Sequence, residues 1–294
     1  MDSLLNLLAV YTAIFLLAIF VGANLTRWLS LTHTRTQLMM SFVSGLMLGV
    51  AIFHLLPHAI YSLSGPMAVE LAARWTMVGL LTMFLLLRVF DFHHHDIADG
   101  SDDVHCHAHG ESSLPSPNRR WNWLGIALGL VLHTLVDGVA LAASMQADWL
   151  LRADNSWPAV FGVGVFLAIL LHKPLDAITL TALMQRAGVS QRSRRLMLLV
   201  FALLCPASAA ILLWSFDSAL LSQGHYVGAA LAFSAGVFLC ISLSDLLPEL
   251  HFHRHDRGLM TVVLLLGVAL ALAISLVEPA HRHSFEPVAT HMPH

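Results

Sequence analysis

The sequence predicts an all-α, polytopic membrane protein of eight transmembrane helices in a 3+2+3 arrangement with inverted repeats. Composition carries the first half of that expectation: 57% of the 294 residues are hydrophobic and only 11% are charged, with a mean hydropathy of +0.74. A chain of this length cannot hide so much apolar surface in one soluble core. Runs of about 20 apolar residues, separated by short polar turns, carry the second half, because that length spans the hydrocarbon of a bilayer. Cys106, Cys205 and Cys240 are too few and too scattered for a disulfide framework. No basic block points to nucleic acid.

The whole of 1–294 reads as one transmembrane domain with spans near 3–23, 38–62, 70–90, 121–146, 157–185, 196–216, 226–250 and 258–277. The first span begins almost at Met1, lacks a basic start, and meets no small-residue cleavage site before Arg27, so it is expected to be a retained helix rather than a signal peptide. Ser64-Gly65-Pro66 closes the second span, and Asn155-Ser156-Trp157-Pro158 and Gln223-Gly224 separate later ones. The third span runs into a polar loop over 91–120, and the eighth into a tail over 278–294. With the amino terminus outside, the inner segments hold Arg27, Arg35, Arg88, Arg119, Arg120, Arg186, Arg192, Arg194, Arg195, Arg254 and Arg257, against Arg74, Arg152 and Arg282 outside. That bias places both termini on the extracytoplasmic side.

Spans two and seven repeat one another. Aligning Phe42–His58 with Phe233–Glu249 matches Phe42/Phe233, Gly45/Gly236, Leu48/Leu239, Leu55/Leu246, Leu56/Leu247 and Pro57/Pro248. Alternating spans give the two copies opposite directions across the membrane, which is the inverted-repeat architecture of many secondary transporters. Two similar apolar helices that both end in proline would give the same matches.

The chemistry concentrates in spans four and five. His133-Thr134-Leu135-Val136-Asp137 and His172-Lys173-Pro174-Leu175-Asp176 each place an imidazole and a carboxylate four residues apart, one above the other on a helix face. Ionisable groups at that depth are costly and mark ion pathways, so four convergent ligands predict an intramembrane transition-metal site. His54 and His58 lie in the outward half of span two; their repeat equivalents, Asp245 and Glu249, lie toward the inner end of span seven, followed by His251, His253 and His255. A metal would meet imidazoles on entry and carboxylates on exit. Pro174 removes a backbone hydrogen bond beside the site and is either a kink or an ordinary tolerated proline.

The loop over 91–120 holds His93, His94, His95, His105, Cys106, His107 and His109 among several aspartates. Such a segment cannot build a core but chelates borderline cations, so it is expected to collect or sense metal on the inner side. His281, His283, His291 and His294 in the tail suit weak scavenging outside, or simply a flexible end.

With these residues in view, the chain resembles the ZIP (Zrt/Irt-like) divalent metal transporters. The resemblance rests on the helix count, the Gly-x-x-Leu…Leu-Leu-Pro pattern of spans two and seven, the His-rich inner loop, and above all His133-x-x-x-Asp137-Gly138 and His172-x-x-x-Asp176. It implies transport-site ligands His133, Asp137, His172 and Asp176, with Met47 as a thioether neighbour, and movement of metal into the cytoplasm by alternating access. Many members hold two adjacent metals; here the positions that would serve the second offer Thr134, Lys173 and a sixth span without carboxylate. An ammonium does not ligate and repels a second dication, so one metal is expected, with Lys173 as a tethered cation in the second position. A lysine there also resembles one branch of the animal family.

Two imidazoles and two carboxylates suit Zn(II) as substrate and also accept Fe(II), Mn(II), Co(II) or Cd(II). The rival functions are a membrane zinc metalloenzyme, a metal exporter and a metal sensor. No HExxH occurs, and an enzyme needs an open coordination position and a general base that a carrier does not. Lipid and the metal are the expected partners, with a possible homodimer and no nucleic acid, in an inner or plasma membrane.

Overall fold

A computed structural model of the protein describes residues 2–28, 33–90, 122–151, 161–217, 224–252 and 257–277. The described residues are helical and contain no strand. The helices are α1 (Asp2–Trp28), α2 (His33–Val50), a π-helical turn (Ala51–Leu55), α3 (Leu56–Leu63), α4 (Ala68–Phe90), α5 (Asn122–Leu151), α6 (Val163–Arg186), α7 (Gln191–Asp217), α8 (Gly224–Phe252) and α9 (Arg257–Val277). Eight segments are long and apolar enough to cross a membrane, α2, the π turn and α3 forming one of them. Each coincides with a span expected from the sequence.

Two departures from the expected boundaries bear on the sites described below. The fourth span runs on to Leu151 instead of stopping near 146, which adds a turn containing Asp148. The second is interrupted by the π turn, and Pro57 explains why. Proline has no N–H to offer the carbonyl of Phe53 four residues back, so the helix widens locally: the Leu56 N–H bonds the Ala51 carbonyl instead. The released Phe53 carbonyl accepts the Ser275 hydroxyl of α9 at 3.0 Å. At Ser64-Gly65 the chain turns with φ of 43° and 87°, as the sequence anticipates.

The bundle is layered from lipid to centre. Windows within α4 and α9 are only 17% and 22% buried, whereas that in α5 is 67% buried. With α1 and α7 at 28% and 33%, these helices form a lipid-facing rim around α2, α5, α6 and α8, whose windows are 50–67% buried. The principal packing partners are α2 with α9, α4 with α8, α5 with α7, and α1 with α6. Exchanging α1 with α7, α2 and α3 with α8, α4 with α9, and α5 with α6 maps these pairs onto one another.

Glycines make the correspondence atomic. A Cβ on Gly45 would collide with the Leu264 carbonyl of α9, and one on Gly267 with the Phe42 carbonyl of α2. At the α8–α4 crossing, Gly236 meets the Thr76 carbonyl and Gly79 the Phe233 carbonyl. Gly45/Gly236 and Phe42/Phe233 are pairs already matched in the sequence alignment. Hydrocarbon gives apolar helices no reason to associate, so close backbone approach at small residues supplies the packing.

Candidate metal centre

The central site lies between α5 and α6. Gly138, next to Asp137, lets α7 press against α5 there: a Cβ would strike Ser208 Oγ and the Cys205 carbonyl. Ser208 in turn donates to the Leu135 carbonyl at 3.1 Å. On the other side α1 holds α6 through the Tyr11 ring stacked on Phe166 at 3.8 Å and the Tyr11 hydroxyl donating to the Phe161 carbonyl at 3.0 Å. Both cassette-bearing helices are thus braced against neighbours.

Their side chains converge. His172 Nε2 is 3.3 Å from Asp137 Oδ2, and His133 Nε2 is 3.6 Å from the same oxygen. Both imidazoles stand 3.9 Å from Asp176 Oδ2. Ligands bound at about 2.0–2.1 Å to tetrahedral Zn(II) lie about 3.3–3.4 Å apart, so a small contraction would close a coordination shell. His133, Asp137 and His172 are all buried and offer ligand atoms within 4.8 Å of one another; Asp176, with 15% of its side chain exposed, sits at the edge.

The hydrogen bonds around this cluster orient it outward to a ligand. His172 Nδ1 lies 2.8 Å from the Ala168 carbonyl, which can only accept, so Nδ1 carries the proton and Nε2 keeps its lone pair toward the carboxylates. Asp137 Oδ1 and His133 Nδ1 are buried without a hydrogen-bond partner among the described residues. Buried polar atoms are ordinarily satisfied, and two orphans in one cluster call for a cause.

Lys173 supplies the local counter-charge. Its Nζ donates to Asp137 Oδ2 at 2.5 Å, to Thr134 Oγ1 at 3.0 Å and to Asp176 Oδ2 at 3.4 Å, and it lies 5.2 Å from the Phe201 ring centroid. An isolated charge at the bilayer centre costs roughly 3 kcal/mol on insertion scales. One ammonium between two carboxylates offsets part of that penalty and leaves a net negative cage, suited to a dication.

A second group gathers His54 and His58 with Asp148, a residue sequence reasoning did not single out. His58 Nδ1 donates to the His54 carbonyl at 2.7 Å, and His58 Nε2 faces Asp148 Oδ1 at 3.4 Å. Asp148 Oδ2 accepts the Gly162 N–H at 2.6 Å. His54 Nε2 bonds Ser144 Oγ at 2.9 Å, and the two rings lie 4.5 Å apart.

Among the other residues singled out, Met47 is buried in the main apolar core. Asp245, Glu249 and His251 fall on the final turns of α8, with side chains outside the described set. His93, His94, His95, His105, Cys106, His107 and His109 lie outside the described residues, as do His253, His255 and the tail histidines.

Comparison with known proteins finds matches over the region that holds both cassettes. The profile of the family described as ZIP zinc transporter matches residues 93–275, which include both cassettes. Zinc transporter ZIP9-B of Xenopus laevis is 30% identical over 199 residues, covering 60% of this chain and 59% of that protein. Zinc transporter ZIP9 of Micropogonias undulatus is 32% identical over 207 residues, 63% and 59% respectively, and that of Macaca fascicularis 34% identical over 178 residues, 53% and 67%. The chain thus spans about three fifths of the length of the frog and fish relatives.

Proposed function

The chain belongs to the ZIP zinc transporter family, and from that premise we propose that it carries zinc across its membrane through one intramembrane site built from His133, Asp137, His172 and Asp176. The observation that carries the reading is the convergence of three buried ligand atoms from two helices in the interior of an eight-span bundle. Metal enters past His54 and His58, binds centrally with Met47 nearby, and leaves past Asp245, Glu249 and His251. Influx into the cytoplasm, both termini outside and an inner or plasma membrane follow the arginine bias and the family resemblance.

Alternating access is the expected motion, and the paired glycine crossings at α2–α9 and α8–α4, which recur in two like units, support it. Lys173 acts as the resident cation of the empty state and stands where a second metal would go, so a single zinc is carried. Fe(II), Mn(II), Co(II) and Cd(II) fit the same donors. The His-rich loop binds metal on the inner side, and a homodimer is compatible with the extensive exposed apolar surface.

Radiozinc uptake into proteoliposomes tests the reading. Wild-type protein should accumulate zinc, and D137A and H172A, each recovered folded, should not. Undiminished uptake by both variants would reject the site.

A further inference from the structure

We propose that His54, His58 and Asp148 form a second divalent-metal site, which captures zinc at the end of the bundle where α5 finishes and passes it to the central site. Its role in capture rests on the transport reading above; its ability to bind metal does not.

Each ligand is prepared by a group that is not itself a ligand. The His58 Nδ1 proton is committed to the His54 carbonyl, which leaves the Nε2 lone pair facing Asp148. The Gly162 N–H holds one Asp148 oxygen and so aims the other at His58. Ser144 anchors the His54 ring. The 3.4 Å between His58 Nε2 and Asp148 Oδ1 is about one edge of a zinc tetrahedron with bonds of about 2.0–2.1 Å. His54 and His58 are 2% and 4% exposed, so the site is built into the fold rather than being a surface coincidence.

The backbone explains why two histidines can meet a third ligand here. His54 lies inside the π turn that Pro57 imposes, and Ser275 of α9 clamps the carbonyl so released. π turns widen a helix by one residue and recur at functional sites. They re-aim a side chain without breaking the span.

Continuity with the central site comes from α5. His133, Asp137, Ser144 and Asp148 recur at spacings of four, seven and four, which keeps them on one face of the helix. Asp148 lies eleven residues beyond Asp137, about 16 Å along the axis. Fully buried Ala140 and Leu141 separate the two groups. A metal thus has two stations on one helix with an apolar step between them.

Full-length protein in proteoliposomes provides the test, with zinc alone as probe. D148N and H58Q are expected to raise the KM for zinc uptake at least about tenfold, since loss of even an outer-sphere partner costs about 10–100-fold, with the maximal rate within about twofold of wild type. In equilibrium dialysis, the D148N/H58Q double variant should bind one zinc fewer than wild type, and so should H133A/H172A; the His-rich loop is common to all and cancels. Unchanged KM and stoichiometry in D148N/H58Q overturn the second site and leave the central one standing. Undiminished stoichiometry in H133A/H172A overturns the central one instead. If these variants do not fold, zinc-soaked crystals of the wild type decide: an anomalous peak about 2.1 Å from His58 Nε2 is expected, and its absence overturns the proposal.

Discussion

Asp137 and Asp148 stand on one face of α5, each beside two buried imidazoles, yet they are held by different partners. Asp137 shares a single oxygen with His133, His172 and the ammonium of Lys173, and keeps the other unpartnered among the described residues. Asp148 has one oxygen tied to the Gly162 backbone N–H and the other turned to His58. A cation-held carboxylate must exchange its partner when a metal arrives. In the two-site proposal the central group changes partner when zinc binds, and the peripheral group captures it.

The largest expected effect lies on the exchanging side. D137A should reduce zinc uptake by more than the 10–100-fold that loss of an outer-sphere partner costs, while D148N should leave the maximal rate nearly intact. Equal losses of maximal rate in the two variants would erase the distinction. Next in size is the resident cation. K173M strands Asp137 in the membrane interior without its ammonium, and breaking a buried pair costs about 3–5 kcal/mol; thermal unfolding of metal-free K173M in detergent should show that loss, and zinc should restore more stability to it than to wild type. An unchanged melting temperature would remove Lys173 from the account.

Smaller effects test the supports. S144A removes one hydrogen bond to His54, worth about 1 kcal/mol, and should weaken the peripheral site roughly fivefold by uptake KM with no change in maximal rate. T134A deletes one of the three acceptors around Lys173 Nζ. It should cost metal-free stability about 1 kcal/mol and leave the KM within about twofold. A reversal of these two outcomes would mean that the peripheral and central groups had been assigned the wrong roles.

The legibility of this fold in its sequence follows from the solvent. Lipid demands about 20 apolar residues per crossing, so all eight spans are readable without any tertiary information. The central cassettes are readable for a related reason: His133 and Asp137, or His172 and Asp176, share a face through local helix geometry alone, and polar groups stand out in an apolar run. The repeat in spans two and seven gives Gly45 and Gly236, and the packing gives the reason they are glycine. Asp148 was hidden for the opposite reasons. It lies past the point where apolar periodicity fades, so it looks like a loop residue, and its meeting with His58 depends on how α3 packs on α5. The spacing from His133 through Ser144 is the signal in the sequence that points to it. The π turn likewise follows from Pro57 only once the helix is known to continue through it.

The central proposal is that one zinc, held by His133, Asp137, His172 and Asp176, takes the place of the Lys173 ammonium on Asp137. Zinc-edge anomalous scattering from wild-type crystals grown with and without the metal measures both halves at once. A single peak is expected in this group, within about 2.1 Å of the two Nε2 atoms, with Lys173 Nζ more than about 3.5 Å from Asp137 Oδ2 in the zinc-grown crystals, against the 2.5 Å contact described above. Two adjacent peaks, or no peak with the Lys173–Asp137 pair undisturbed at saturating zinc, would contradict it.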